Sequence, residues 1–216
     1  MTHHHHGGFV EGPIPGLPGP LPEGEKLLWQ GSPDWRRLAL TAMHVPLVAA
    51  WFLLLLLWSL LSGTGTSGLV GTLLAAGLSV GLLALLAWAM ARATIYSITS
   101  KRVVMRYGVA LEKCINIPFR IISSADLRLH RDGTGDLPLE LHLQKGDRLG
   151  WAMLWPHARP WKLARPQPML RAVPDAERVA AILSQALLSA HPEGERIAVA
   201  TGERPLIAPT PEAAAA

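Results

Sequence analysis

Residues 38 to 91 contain not one Asp, Glu, Lys or Arg, and this limits the fold more than any other feature of the chain. Two apolar runs, 38–61 and 69–91, flank a short uncharged linker, 62–68. An α-helix rises about 1.5 Å per residue, so each run is long enough to cross a hydrocarbon core of about 30 Å. So short a linker requires antiparallel helices. The sequence therefore predicts a transmembrane helical hairpin over residues 38–92, rather than two core helices of a soluble domain.

Positive charges predict which way this hairpin is oriented, because Lys and Arg near helix ends stay on the cytoplasmic side. Arg36 and Arg37 precede the first run, and Arg92, Lys101 and Arg102 follow the second. The linker between the runs carries no charge and is therefore the part that is translocated. We expect both termini to be cytoplasmic.

The charge of the rest of the chain is unevenly distributed. Residues 92–171 hold 14 Lys and Arg against 6 Asp and Glu, whereas residues 172–216 hold 3 against 6. A basic region next to a membrane attracts anionic lipid headgroups or an acidic partner. The single cysteine, Cys114, excludes an internal disulfide framework.

Composition divides the chain into four parts. Residues 1–37 form a cytoplasmic N-terminal segment that is largely disordered to about residue 22, because Pro and Gly dominate its second half. Residues 93–190 form one small domain after the hairpin, and residues 191–216 form a disordered tail. Four consecutive histidines, His3 to His6, lack the fixed spacing of a folded metal site and are interpreted as part of a flexible tail.

After residue 92 the apolar period changes from helical to alternating, which is typical of antiparallel strands with one exposed face. The alternating positions are Val103, Met105 and Tyr107; Ala125, Leu127 and Leu129; Leu137, Leu139, Leu141 and Leu143; and Leu149, Trp151, Met153 and Trp155. Turn residues separate these runs, including 132–136 and 145–147, so we expect a meander.

A helix is predicted after Pro174, because apolar residues then recur at i, i+3, i+4, i+7 and i+8. They are Val179, Ile182, Leu183, Ala186 and Leu187. This helix has one apolar face, and we expect that face to cover the sheet. The fold class is thus an α+β membrane protein: a two-helix transmembrane hairpin, then an antiparallel β-sandwich or barrel capped by a C-terminal helix.

Residues that could support catalysis are few. His130, Arg131 and Asp132 resemble part of a kinase loop, but no phosphate-binding glycine loop accompanies them. The Asp132 to Asp136 segment lacks the ligand spacing of a calcium loop and is interpreted as a hairpin turn. We therefore predict no catalytic residues, no metal and no cofactor, and a binding module instead of an enzyme.

A pair of glycines and a histidine within the apolar runs have alternative interpretations. Gly77 and Gly81 are small residues four apart, which allow another helix to approach closely. That helix is either the other half of the hairpin, or a second copy or foreign helix. His44, near the start of the first run, is interpreted as an interfacial polar residue, with a pigment or haem ligand as the alternative.

The order of motifs after the hairpin resembles the bacterial pleckstrin-homology-like domain. The segment Tyr96 to Gly108, then Asn116-Ile-Pro118, then Ile121 to Leu127, carry this resemblance. The wider arrangement resembles the PuhB family of photosynthetic complex assembly proteins of purple phototrophic bacteria. The segments that carry this second resemblance are residues 21–25, Trp29 to Trp35, Trp155 to Trp161, and Gln167 to Asp175.

This resemblance implies a factor in the bacterial inner, intracytoplasmic membrane that helps to build the reaction centre and core light-harvesting complex without being a final subunit. Its partners would be reaction-centre or core antenna subunits, membrane lipids and a second copy of itself, and not nucleic acid. Relatives in that family are often interpreted as having three spans, whereas this sequence offers two. The alternatives are a general membrane-anchored module for lipid headgroups or proteins, and a membrane-bound enzyme.

The stretch from Trp155 to Arg171 is predicted to be the docking surface, because Trp and Arg are enriched at interface hot spots. Its candidate partner-binding residues are Trp155, Arg159, Trp161, Lys162, Arg165 and Arg171. Prolines in this stretch limit the conformational freedom that is lost on binding. The alternative is that the tryptophans fill the core and the charges face lipid headgroups; Trp155 fits the core better, because it continues the strand alternation.

Overall fold

The computed structural model describes residues 16–143 and 150–190. The predictions for the histidines at 3–6, the turn at 145–147 and the tail at 191–216 lie outside the described residues. The elements in chain order are a strand, three helices, and then a β-rich domain that ends in a helix.

The first apolar run is not one helix, which corrects the prediction of a continuous span. Helix α1, Trp35–Thr41, is followed by α2, Val45–Leu61, with a bend of 56° between them. The break has a physical reason, since Pro46 has no N–H to donate to Ala42 and its ring would clash with that carbonyl. His44 turns the chain at φ 53°, and Pro46 then lies in the first turn of α2, where proline is tolerated.

Helix α3, Gly65–Ala93, is long and apolar enough to cross a membrane, and α1 with α2 meets the same test only as a bent pair. The less exposed side of α2, which includes Phe52, Leu56 and Ser59, packs against α3. Their other sides expose many leucines and tryptophans, a surface too large and apolar to be usual for a soluble monomer. Helix α1 packs against Ala87 and Ala91, near the C-terminal end of α3.

The first sheet joins the two sides of the helical segment. Its strands are β1, Leu27–Gly31; β2, Ile95–Thr99; β3, Arg102–Tyr107; and β4, Lys113–Pro118, in that order and all antiparallel. Strand β1 precedes the helices and pairs with β2 directly after them, so residues 27–31 belong to the domain and not to a separate N-terminal segment. Leu17 is also buried, although residues 16–26 contain no strand or helix. The predicted disorder up to about residue 22 stays a prediction.

The second sheet is built around one central strand. Its strands are β5, Ile122–Ala125; β6, Arg128–Leu129; β7, Gly135–Leu141; and β8, Met169–Val173. Strand β7 pairs antiparallel with the other three. The antiparallel pairing agrees with the alternating sequence, but this sheet is not a simple meander, because β8 returns to β7 after a long connection.

The prediction of a strand over residues 149–155 is wrong for residues 151–154, and residue 149 lies outside the described residues. Residues Trp151–Leu154 form a short helix, α4, within the connection between β7 and β8. Leu154 is its buried residue, whereas Met153 and Trp155 are exposed, which is the reverse of the predicted alternation. In a meander, a strand here would pair with β7, the strand before it in the chain. That position on β7 is occupied by β8 instead.

Helix α5, Ala176–Ala190, covers the sheets as its apolar spacing predicts. Its buried residues are Ala176, Val179, Leu183, Ala186 and Leu187. They join one core with the inward side chains of both sheets, among them Ile98, Met105, Ile117, Leu139 and Leu170. The domain is therefore stabilised mainly by the burial of apolar side chains in this core.

Candidate docking groove and polar core

A groove of about 660 Å³ opens between the bend at His44 and the second sheet. We call it the bend groove. Thr41 and His44 line its helical side. The rest of its lining comes from the domain: Asp126, Leu127, Arg128, His130, Asp136, Pro138, Arg159, Pro160, Trp161, Met169 and Arg171. The predicted docking residues Arg159 and Trp161 are thus brought together at its edge.

Trp161 is 95% exposed and lies at a left-handed φ of 64°. Lys162 and Arg165 beside it are also exposed. Arg159 holds the base of this segment, because its Nη1 donates to Gln167 Oε1 at 3.0 Å and to Asp126 Oδ2 at 3.4 Å. Its charge is thus partly matched by Asp126. The side chains that remain available to a partner are Trp161, Lys162 and Arg165.

Arg171 lines the bend groove but is almost fully buried, which corrects its prediction as an exposed docking residue. Its side chain is 6% exposed and lies on β8, whose residues are all buried. Its guanidinium donates to Pro156 O at 2.9 Å and to Thr41 O at 3.3 Å. Burial lowers the pKa of Arg171, while the nearby Asp136 carboxylate opposes that change. Arg171 therefore ties the end of α1 to the domain.

Arg171 belongs to a buried set of hydrogen-bonding side chains, which we call the polar core: Thr94, Tyr96, Asp136, His157 and Arg171. The Arg171 backbone N–H donates to the Tyr96 hydroxyl at 3.2 Å, and that hydroxyl lies 2.7 Å from His157 Nδ1. His157 Nε2 lies 3.3 Å from Thr94 Oγ1, whose hydroxyl donates to Met90 O at 2.7 Å. Asp136 Oδ1 accepts the Ala172 N–H at 2.9 Å.

The hydrogen bonds from Tyr96 through His157 to Thr94 are consistent with only one neutral tautomer of His157, the one that carries its proton on Nε2. The Thr94 hydroxyl proton is directed to Met90, so Thr94 Oγ1 accepts from Nε2–H, and Nδ1 accepts from the Tyr96 hydroxyl. Burial, and then the charge of Arg171, lower the pKa of His157 to about 3. Burial also raises the pKa of Tyr96 and raises that of Tyr107 to about 12. The polar core is therefore uncharged at its His157 end and connects the ends of α1 and α3 to the domain.

Trp155 lies apart from the bend groove. It is 42% exposed, so the interpretation of Trp155 as a core residue is wrong. It lines a second groove, of about 250 Å³, together with Met90 and Thr94 of the α3 end and the loop after Tyr107. The predicted docking stretch is thus divided between two surfaces and the protein interior.

Gly77 and Gly81 do not contact the neighbouring helix. A Cβ atom built on either glycine would meet nothing within 4 Å. Both lie on the outward side of α3, so their use in packing within the hairpin is not observed. Contact with a second copy or a foreign helix stays a prediction.

Among residues 16–143 and 150–190, no group of three or more His, Cys, Asp or Glu could hold a metal ion. The Asp132 segment forms a turn in which Asp132 Oδ1 accepts the Thr134 N–H at 3.1 Å and the Thr134 hydroxyl at 2.6 Å. Arg37 of α1 lies 3.7 Å from the other Asp132 oxygen. These contacts describe a turn that fastens α1, and the absence of enzyme activity stays a prediction.

Antiparallel sheets around one core, covered by a C-terminal helix, define a domain of the pleckstrin-homology-like class. A family model described as Bacterial PH domain matches residues 37–187, and the chain belongs to that family. The match includes most of α1, all of α2 and α3, and most of α5, but it begins after β1. The sequence resemblance to this domain is thereby confirmed.

One curated relative extends the comparison. An uncharacterised 23.7 kDa protein in the puhA 5' region of Rhodobacter capsulatus is 44% identical over 184 residues. The aligned part covers 81% of this chain and 85% of the relative. No solved structure matches the chain.

Proposed function

We propose that this protein is a membrane-anchored, non-enzymatic assembly factor for the bacterial photosynthetic reaction centre and core light-harvesting complex. It binds subunits or intermediates and leaves before the complex is complete. Three findings support this role. The motif order resembles PuhB-type assembly proteins, and the curated relative is named by its position next to puhA, a gene with the same puh prefix. The domain also has a groove beside the bend between α1 and α2.

The pairing of β1 with β2 is the observation that best supports a two-span anchor. The two strands lie on either side of residues 35–93 in sequence and in one sheet in space. If α3 alone crossed the membrane, β1 and β2 would lie on opposite sides and could not pair. An α3 that spans the bilayer therefore requires the bent pair α1 and α2 to span it as well.

The start of α1 and the end of α3 each have a tryptophan and an arginine side by side, as is typical of a cytoplasmic membrane interface. Arg36 stacks on Trp35 at 5.5 Å, and Arg92 stacks on Trp88 at 5.4 Å. Tryptophan and arginine near helix ends anchor at headgroup level, and arginine favours the cytoplasmic side. The link between α2 and α3 is uncharged. We therefore place the domain and both termini in the cytoplasm.

The docking surface that we propose consists of Trp161, which lines the bend groove, and the exposed Lys162 and Arg165 of the same segment. Trp161 offers a large apolar area in a segment flanked by Pro160 and Pro166, and the two cations favour an acidic partner. Because Thr41 and His44 line the same groove, this surface lies close to the membrane helices. An acidic cytoplasmic end of a membrane subunit would reach it directly.

A charge-reversal experiment tests this assignment. The variant Trp161→Ala/Lys162→Glu/Arg165→Glu leaves the bonded Arg159 in place, and loss of one hot-spot tryptophan typically weakens binding by about 2 kcal/mol or more. We expect less reaction centre in membranes, measured by near-infrared absorbance, at an unchanged level of the variant protein. The matched control Lys101→Glu/Arg120→Glu reverses two other exposed cations and should leave accumulation normal.

Normal accumulation with the triple variant at full protein level would refute this docking surface. Binding of the purified chain to anionic liposomes, without affinity for photosynthetic subunits, would instead support the general lipid-binding module.

A further inference from the structure

The loop between β3 and β4 has an apolar tip. Its residues Val109, Ala110 and Leu111 follow Gly108, and Leu111 is 78% exposed while Val109 is 55% exposed. Turns at the surface usually carry Gly, Pro, Asn, Asp or Ser, whose side chains suit water and turn geometry. Three consecutive apolar residues at a tip therefore indicate that the tip contacts something other than water.

This loop has a fixed shape. Gly108 has φ 119°, and a Cβ there would lie 2.0 Å from the Leu111 carbonyl oxygen, so the turn requires glycine. An ion pair between Arg106 and Glu112 closes its base. A tip that is already held in one conformation loses little entropy when it is immobilised by a partner.

The position of the tip indicates what it contacts. Val109 and Leu111 line the 250 Å³ groove together with Trp155 and with Met90, which lies in the last turn of α3. The aromatic and basic pair Trp88 and Arg92 lies in the same part of α3. The tip is thus at the height where α3 would leave the bilayer.

We propose that the loop 108–112 and Trp155 insert into the interfacial layer of the bilayer that α3 crosses, as a second membrane contact of the domain. We call this surface the interfacial wedge. It rests on the membrane anchoring proposed above. Apolar and aromatic side chains of such segments enter the boundary between headgroups and acyl chains by about 5–10 Å. Lys113, which lines the same groove, and Arg92 give the wedge a basic margin that favours anionic headgroups.

The bilayer fits this surface better than a protein partner does, because it is already present. The chain passes from α3 into β2 with only Thr94 between them, so the domain cannot leave the membrane surface. The wedge would fix the tilt of the domain relative to α3. It would therefore also fix the direction in which the bend groove faces.

Fluorescence quenching in nanodiscs tests this inference. In a Cys114→Ser background, the full chain carries one cysteine at a time, as Leu111→Cys, Leu82→Cys or Leu188→Cys, each labelled with an environment-sensitive fluorophore. Leu82 is exposed on α3, and Leu188 is similarly exposed on α5, which packs on β7, β1 and the 3-10 turn at 119–121. The nanodiscs contain anionic phospholipid, with or without spin label high on the acyl chain.

We expect the spin-labelled lipid to quench most of the fluorescence at position 111 and at position 82, and to leave position 188 unquenched. Quenching at 82 without quenching at 111 would overturn the wedge and leave the anchoring intact. Absence of quenching at 82 would overturn the anchoring itself, and the wedge with it. Equal quenching at 111 and 188 would show non-specific contact with lipid and would also overturn the wedge.

Discussion

Lowering the pH should destabilise the fold through His157. Burial lowers the pKa of this imidazole from 6.5 to about 3, so it stays neutral in the folded chain. Below pH 6.5 the unfolded chain binds a proton that the folded chain does not bind. The free energy of unfolding therefore falls as the pH falls from 6.5 toward 3, and the contribution of His157 is fully present above pH 6.5.

The size of this effect follows from the same shift in pKa. Each pH unit between the two pKa values corresponds to about 1.4 kcal/mol. Between pH 7 and pH 5, about 1.5 of those units are traversed, so this one side chain should remove about 2 kcal/mol of unfolding free energy. A loss of this size is a large part of the stability of a typical domain, about 5–15 kcal/mol.

The assay compares the full chain with His157→Gln in mild detergent. Glutamine keeps a neutral hydrogen-bonding group near Tyr96 and Thr94 but does not titrate. Urea unfolding at pH 7 and pH 5, followed by tryptophan fluorescence, gives the change in unfolding free energy for each protein. The other histidines, including His130 beside Asp136, are common to both and cancel in the difference. The control His142→Gln alters an exposed histidine and should keep the wild-type pH dependence.

Identical pH dependence of the wild type and His157→Gln would refute this reasoning. If His157→Gln is too unstable for a complete urea unfolding curve at pH 7, an NMR titration of the His157 imidazole in the wild type tests the same point. Its ring must remain neutral at pH 5, and protonation there would contradict a buried neutral His157.

Three further predictions follow from the fold. Arg171→Leu should lower the unfolding free energy in the same urea assay by about 1–3 kcal/mol, because two buried carbonyls lose their donor. A change of less than about 0.5 kcal/mol, which is typical of surface substitutions, would contradict the buried role of Arg171. Gly77→Ile/Gly81→Ile should leave the monomer folded but weaken helix association by about 1 kcal/mol, measured by size in detergent; unchanged association would make these glycines incidental. Reporters fused at Gly65 and after Ala190 should be periplasmic and cytoplasmic respectively, and the reverse would refute the two-span topology.

Much of the architecture can be predicted from local sequence, because the relevant signals are local. The charge-free run locates the helices, alternation locates β3 and β7, and the apolar stripe locates α5. The bend at Pro46 was available from the same sequence, since proline inside a helical run ends or kinks it. Hydropathy averages across such a break and therefore conceals it.

Other features depend on contacts between distant residues. Strand β1 has only five residues, and its partner follows more than 60 residues later, so no local pattern reveals the pairing. The sequence predicts Arg171 as a docking residue because it lies in a stretch of tryptophans and cations, the residues enriched at interface hot spots. Its partners are backbone carbonyls and the charge of Asp136, which residue types alone do not indicate, although the apolar neighbours on β8 are a signal of burial.

Cross-linking during purification tests the assembly role most directly. The tagged full chain is purified in mild detergent from phototrophically growing cells after treatment with an amine-reactive cross-linker, and the products are identified by mass spectrometry. The proposed role predicts reaction-centre or core antenna subunits from incomplete complexes, with cross-links at Lys162 that are lost in Trp161→Ala/Arg165→Glu and kept in Lys101→Glu/Arg120→Glu. Recovery of no photosynthetic subunit above the level of an unrelated membrane protein would contradict it.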